Sequence, residues 1–228
     1  MLENNKFILI LGSKPNSIIP KVDYSHIYAA NGASALARSI IEANSKVYFT
    51  SVVGGREFLK NSKVQFRVIN SKPDRLISRV TNIDTQQFNF SKEMEYKFFN
   101  NLQQLNFQSN FFKFGIIDVI FKELNYEIKF INKLKHFIKI IKSGYITGIS
   151  TGFFAFLHAI YENPGKKIII SGIGMSAGGH FYKKETDEYT NRSYVDRKLI
   201  LNLKEKFRDN VYTTDENLAN IGKFKLWK

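Results

Sequence analysis

Ser150-Thr151-Gly152 opens an apolar run that reaches Ile160, and Lys167-Ile168-Ile169-Ile170-Ser171-Gly172-Ile173-Gly174 follows it. The first part, Ser150 to Asn163, is apolar nearly all round. It therefore predicts a buried helix, ended by Pro164-Gly165. The second part is a short apolar run closed by small residues, which predicts a central strand over Lys167–Ser171 and a turn. Ser or Thr caps the free N–H groups at a helix start, and Gly beside them lets a ligand approach. Those N–H groups and the helix dipole favour an anion such as phosphate. Together with a second Gly-turn near the N-terminus, this pattern suggests a nucleotide site.

Outward from that segment, strands and helices alternate. Lys6 to Leu11 reads as a fully buried strand whose turn is Gly12-Ser13-Lys14-Pro15-Asn16. Ile27 to Ala30 is a second strand, stopping at Asn31-Gly32. Ala33 to Ala43 is a helix carrying Leu36, Ile40 and Ile41, and Lys46 to Val53 is a strand ending at Gly54-Gly55. Strands are also expected at Val64–Ile69 and Leu76–Val80. Ser91–Leu105 reads as a helix with Ser91 as cap and Met94, Phe98, Phe99 and Leu102 as its stripe. Asp196–Phe207 reads as a helix and Val211–Thr213 as a final strand. Such alternation predicts an α/β fold, a single Rossmann-like, doubly wound, mainly parallel sheet over residues 1–228. The Gly-rich, polar, aromatic-dotted stretch from Ile173 to Asn191 reads as a long mobile loop, with a lid expected at about 174–191.

Composition sets outer bounds. No composition break or Pro/Gly/Ser-rich linker divides the 228 residues, and a hydrophobic content of 43% supports a substantial core. No apolar run has spanning length, and Phe7–Leu11 lacks the basic start and cleavage site of a secretory signal. The absence of cysteine rules out disulfides and thiolate metal sites and fits a cytoplasmic protein. Lys and Arg number 34 against 20 Asp and Glu, a net +14 that favours polyanionic partners. AT-rich coding, which enriches Lys, Asn, Ile and Phe together, accounts for part of that charge. Residues 122–142 read as a basic amphipathic helix, with Ile131, Leu134, Ile138 and Ile141 on one face and Lys129, Lys133, His136 and Lys139 on another. It is either a surface helix packed on the core or a dock for an anionic membrane or acidic partner. The tail Lys223–Lys228 repeats that chemistry.

The motifs narrow the chemistry. Gly12–Asn16 is neither a G-x-G-x-x-G fingerprint nor a P-loop. Asn31 is a turn residue or, at a strand's carboxyl end, a donor and acceptor for a base or ribose. There is no Asp-x-Asp and no H-E-x-x-H, which makes metal-dependent chemistry a poor expectation. His158, inside the apolar helix, reads as a core histidine. His180, in Gly178-Gly179-His180-Phe181-Tyr182, is a candidate for catalysis or phosphate contact.

Ile149-Ser150-Thr151-Gly152-Phe153 through Ile170-Ser171-Gly172-Ile173-Gly174 resembles the small sialyl motif of sialyltransferases. Leu9–Ser13 and Tyr28–Gly32 look like the start and the Asn-bearing end of the large motif, with Gly12 and Pro15 in the places of the bacterial Gly-Asn-Gly-Pro-Ser. Arg192-Ser193-Tyr194-Val195-Asp196 looks like the last motif. The resemblance covers roughly residues 6–33 and 146–218. It implies a GT-A-like variant of the Rossmann-like domain, acting on a CMP-activated acidic sugar (sialic acid, Kdo or a related nonulosonate) with inversion, no metal and no cofactor. By position it implies that Gly12, Ser13 and Asn31 contact the cytidine nucleotide. Ser150, Thr151 and Gly152 would lie at the nucleotide or sugar carboxylate, and Gly172 and Gly174 would floor the site. Tyr182 resembles a loop tyrosine that hydrogen-bonds the leaving phosphate.

One departure stands out. The family's general base is a His at the start of the last motif, where this chain has Arg192, or Ser193 on an alignment shifted by one. Arginine cannot act as a base at ordinary pH. His180 as substitute, a carboxylate such as Asp187 or Glu188, and an inactive chain or one with different acceptor chemistry compete, with His180 preferred. The resemblance thus implies a bacterial, cytoplasmic glycosyltransferase for a surface-glycan acceptor such as lipopolysaccharide or capsule, peripheral to the inner membrane. The rivals are a basic nucleic-acid-binding α/β module and a catalytically inactive relative.

Overall fold

The computed structural model describes residues 6–43, 47–115, 148–175 and 191–228, together with Ile138; for 191–194 it describes the backbone alone. The expected basic helix at 122–142 lies outside these residues except for Ile138, and so does the expected loop beyond Met175. The strands are β1 (Phe7–Leu11), β2 (Tyr24–Ala30), β3 (Tyr48–Gly54), β4 (Arg75–Arg79), β5 (Glu95–Phe99), β6 (Ile168–Ser171), β7 (Val211–Thr213) and β8 (Lys225–Leu226). The helices are α1 (Ser34–Ala43), α2 (Gly55–Lys60), α3 (Ser62–Asn70), α4 (Asn101–Ser109), α5 (Thr151–Glu162), α6 (Asn191–Leu201) and α7 (Glu216–Gly222).

All eight strands join one sheet in the order β5-β4-β3-β2-β1-β6-β7-β8, and every neighbouring pair is parallel. The expected α/β, doubly wound architecture is therefore observed. Central strands are continuous apolar runs because helices cover both faces. Ile8, Ile10, Ile168 and Ile170 face α4, α5 and α6 through Leu105, Phe153, Phe154, Phe156 and Leu199. Leu9, Leu11, Ile27 and Phe49 face Ala33, just before α1, and Ala37 within it. Truncating a fully buried Phe such as Phe154 typically costs about 3–5 kcal/mol.

Three expectations are corrected. Val64–Ile69 is part of helix α3, not a strand. Val64 and Val68, four apart, are buried while Phe66 is 70% exposed, and the Asn61 side chain caps the start. Ser91–Leu105 is not one helix. Strand β5 occupies Glu95–Phe99, and Asn100 and Gln103 then form a reciprocal capping box that starts α4. Leu102 of the expected apolar stripe is 61% exposed. Asp196–Phe207 divides into α6, which starts earlier at Asn191, and a short 3-10 turn at Glu205–Phe207.

The tail Lys223–Lys228 contributes edge strand β8, and Trp227 packs edge-on against Phe7 and Tyr212.

Candidate functional site

The chain winds from β1 to β5 in one direction and from β6 to β8 in the other. The direction of winding therefore switches between β1 and β6, which pair from Ile8↔Ile168 to Leu11↔Ser171. Open α/β sheets bind ligands in the crevice beyond the carboxyl ends of the strands at such a point. Here the two segments stay together past the strands: Gly12 N–H donates to Ser171 O at 2.8 Å and Lys14 N–H to Gly172 O at 2.9 Å. Ser17 Oγ donates to Lys14 O and Ser171 Oγ to Ile18 O, both at 2.6 Å, so the half-buried Ser13 lies in a segment fixed on both sides.

The glycines are explained by this close approach. A Cβ on Gly12 would come within 2.1 Å of Gly172 O, and one on Gly172, whose φ is +70°, within 2.6 Å of Gly12 O. A Cβ on Gly152 would meet the Ile173 side chain at 2.9 Å, and one on Gly174 would meet Asp215 Oδ2 at 2.8 Å and Lys14 Nζ at 2.9 Å. At all four positions the lack of a side chain admits the protein's own atoms.

Asn31 follows β2 at the same edge, with φ +49°, a left-handed value that Asn tolerates better than most residues. Its Oδ1 accepts from Gly54 N–H at 3.0 Å, tying the ends of β2 and β3 together. Ser34 Oγ is 2.9 Å from Asn31 O and 2.7 Å from Ser51 Oγ. Next to β3, Val80 directly follows β4 with φ +75°. Such a value in a β-branched residue is strained, and strained residues concentrate at functional sites.

Helix α5 crosses β1, β2 and β3 and presents its N-terminus at this carboxyl edge. Arg79, the last residue of β4, is fully buried; its Nη2 donates to Ile149 O at 2.9 Å, and its guanidinium lies 4.2 Å above the Phe154 ring. Gln108 Oε1 accepts from Ile149 N–H at 2.8 Å, and Asp196 Oδ1 accepts from Ser150 N–H at 2.7 Å. Ser150 occupies the cap position, but its side chain makes no capping hydrogen bond. This corrects the expected hydroxyl cap: the anion at the start of α5 is the chain's own Asp196. Thr151 is buried and Gly152 half-buried at that tip.

Beside the tip, Lys14 Nζ lies 2.5 Å from Asp215 Oδ2. Asp215 also caps α7, its Oδ1 accepting from Leu218 N–H at 2.8 Å. Neither residue was singled out from the sequence. The available signal was an Asp two residues after the strand Val211–Thr213 and directly before a helix.

Of the expected site residues, Gly12, Ser13, Gly172 and Gly174 come together at the ends of β1 and β6. Asn31 stands at the end of β2, and Ser150, Thr151 and Gly152 form the tip of α5. Arg192 lies in the first turn of α6, while His180 and Tyr182 lie outside the described residues.

A second polar cluster, also unanticipated, occupies the amino edge. Arg75, the first residue of β4, donates through Nη1 and Nη2 to Glu162 Oε1 and Oε2 at the end of α5, at 3.0 and 2.5 Å, and through Nε to Thr50 Oγ1 at 3.2 Å. Tyr28 OH donates to Glu162 Oε2 at 2.5 Å. His26 stacks on Tyr28 with ring centroids 4.1 Å apart, its Nε2 2.9 Å from Thr50 Oγ1. Burial, reinforced by the Arg75 charge, lowers the His26 pKa to about 3. Burial pushes the Glu162 carboxyl up, but contacts with His158, Arg75 and Tyr28 outweigh it and hold the group below the usual carboxylate range. His158 is a core histidine, 1% exposed and stacked on Phe107. Its Nδ1 is 3.8 Å from Glu162 Oε1, too far for a hydrogen bond, and burial lowers its pKa.

No family model matches the chain, and no curated protein or solved structure matches it either. Among the described residues no helix is long and apolar enough to cross a membrane, and no group of three or more His, Asp or Glu could hold a metal ion.

Proposed function

We propose that the chain is a sialyltransferase-like glycosyltransferase. It would move sialic acid, Kdo or a related nonulosonate from a CMP-sugar to a hydroxyl of a surface glycan such as lipopolysaccharide or capsule. The observation that carries this is convergence. The segments that resemble the two sialyl motifs, far apart in sequence, meet through Gly12 and Gly172 at the switch between β1 and β6, with Asn31 and the tip of α5 on the same edge.

In this proposal the acceptor hydroxyl attacks the anomeric carbon as His180 takes its proton, and CMP departs with the bonding electron pair. Tyr182 and backbone N–H groups meet the phosphate; loss of one comparable donor typically costs about 3 kcal/mol of barrier. The Asp196 carboxylate at Ser150 N–H changes the expected division of labour. A second anion is disfavoured beside it, so the α5 tip suits a hydroxyl or the cytosine amine, which donate to a carboxylate. Phosphate then belongs nearer the end of β1. The resemblance implies no metal, and the working place would be cytoplasmic, at the inner membrane.

Calorimetry with CMP, CDP, UMP and AMP tests the proposal. A cytidine preference is expected, and equal or absent binding of all four overturns it. The nucleic-acid reading draws on one feature, the half-buried rings of Phe7, Tyr212 and Trp227 with Lys167 and Lys225 lying 5.6 and 5.4 Å from two of them. Salt-sensitive binding of a single-stranded oligonucleotide without nucleotide preference would favour that instead.

A further inference from the structure

We infer that Lys14 is the residue that receives the phosphate of a bound nucleotide, and that Asp215 holds its ammonium in the ligand-free protein as an internal substitute for that phosphate. The inference rests on the proposal that the carboxyl edge takes a nucleotide.

Lys14 is placed for this by its backbone. Its N–H is held by Gly172 O and its carbonyl by Ser17 Oγ, so the Cα is fixed over the switch between β1 and β6 and the flexible four-carbon stem carries the ammonium out from it. The ammonium reaches across to Asp215 Oδ2 at 2.5 Å, with side-chain exposures of 32% for Lys14 and 11% for Asp215. Water, and therefore a solute, reaches the lysine better than it reaches its partner. Gly174 flanks the pair, and any side chain there would come within 2.9 Å of Nζ. The carboxylate is anchored independently, since Oδ1 accepts from Leu218 N–H at 2.8 Å. Asp215 therefore keeps its position when Lys14 turns to a ligand.

The charges favour an exchange. A phosphate monoester carries up to two negative charges at neutral pH and three acceptor oxygens, against one charge on Asp215, and an ammonium has three donors to share. Asp215 is then both the holder of Lys14 and an electrostatic opponent of the incoming phosphate. This fits the α5 tip, where the Asp196 carboxylate already accepts from Ser150 N–H.

The test is a calorimetric comparison of wild type, Lys14→Gln, Lys14→Arg and Asp215→Asn, titrated with CMP, cytidine and inorganic phosphate. Lys14→Gln should weaken CMP at least tenfold and leave cytidine unchanged, and Lys14→Arg should restore most of the loss. Asp215→Asn should tighten CMP several-fold, because Asn still caps α7 while the opposing charge is gone. If Asp215→Asn fails to fold, the salt dependence of CMP binding in Lys14→Gln replaces it and should be shallower than in wild type. Equal losses of CMP and cytidine in Lys14→Gln, no change in either, or no binding of any phosphate-bearing probe to wild type overturns the inference. Phosphate binding that depends on Lys14 but shows no cytidine preference sustains it and overturns the glycosyltransferase proposal alone.

Discussion

The two ends of β4 carry one arginine each, and each holds one end of α5 in a different manner. At the amino edge, Arg75 grips Glu162 with both guanidinium arms, and Tyr28 donates to the same carboxylate. At the carboxyl edge, Arg79 donates to the backbone of the α5 tip at Ile149 O, and the nearby charge pair Lys14–Asp215 has its lysine part-exposed. A many-handed buried clamp fixes position; a part-exposed charge pair beside glycine-lined backbone can be exchanged for contacts with a ligand. The same helix is thus anchored at one end and presented at the other.

The largest expected effect lies at the anchored end. Glu162→Ala leaves Arg75 buried without its carboxylate and should lower stability by about 3–5 kcal/mol, read as the midpoint of denaturant unfolding. An unchanged midpoint would remove the distinction between the edges. Gly12→Ala comes next. Its methyl group would press on Gly172 O and force the ends of β1 and β6 apart, at about 1–3 kcal/mol in the same measurement, with weaker nucleotide binding.

The smallest effect sharpens the contrast through pH. His26 stays neutral in the fold down to about pH 3, whereas the unfolded chain takes up its proton near 6.5. The folded pKa is depressed, so the contribution is whole above pH 6.5 and falls as pH drops toward 3, by about 1 kcal/mol per pH unit. Denaturation of His26→Gln between pH 7 and 4.5 should show a shallower decline than wild type. An identical slope would mean that the histidine does not report on the amino edge.

Most of the sheet was legible because buried parallel strands are short apolar runs bounded by turn residues. Phe7–Leu11 and Ile168–Ser171 are of that kind. Val64-Gln65-Phe66-Arg67-Val68 misleads because its apolar residues fall at two periods at once. Only the exposure of Phe66 shows that the four-residue spacing of Val64 and Val68 decides. Strand β5 was hidden by Glu95 and Lys97, whose charges face solvent on an edge strand; the Asn100–Gln103 pair marked the true helix start. The motif glycines were legible as positions of close approach, but not what approaches, since Gly12 and Gly172 meet only when β6 inserts beside β1. Asp215 and Glu162 escaped for the same reason. Their partners, Lys14 and Arg75, are distant in sequence, and ion pairs leave no periodic trace.

The placement of β6 beside β1 also bears on how the molecule is made. Ile8 pairs with Ile168, about 160 residues later. At roughly 5–20 residues per second, a ribosome needs on the order of ten to thirty seconds to bridge that gap. Throughout it the Phe-Ile-Leu-Ile-Leu segment can pair on only one flank, leaving a greasy, unsatisfied border open to strands of neighbouring nascent chains. Expression at reduced temperature or alongside a holdase should therefore raise the recovered yield far more than any change at the surface.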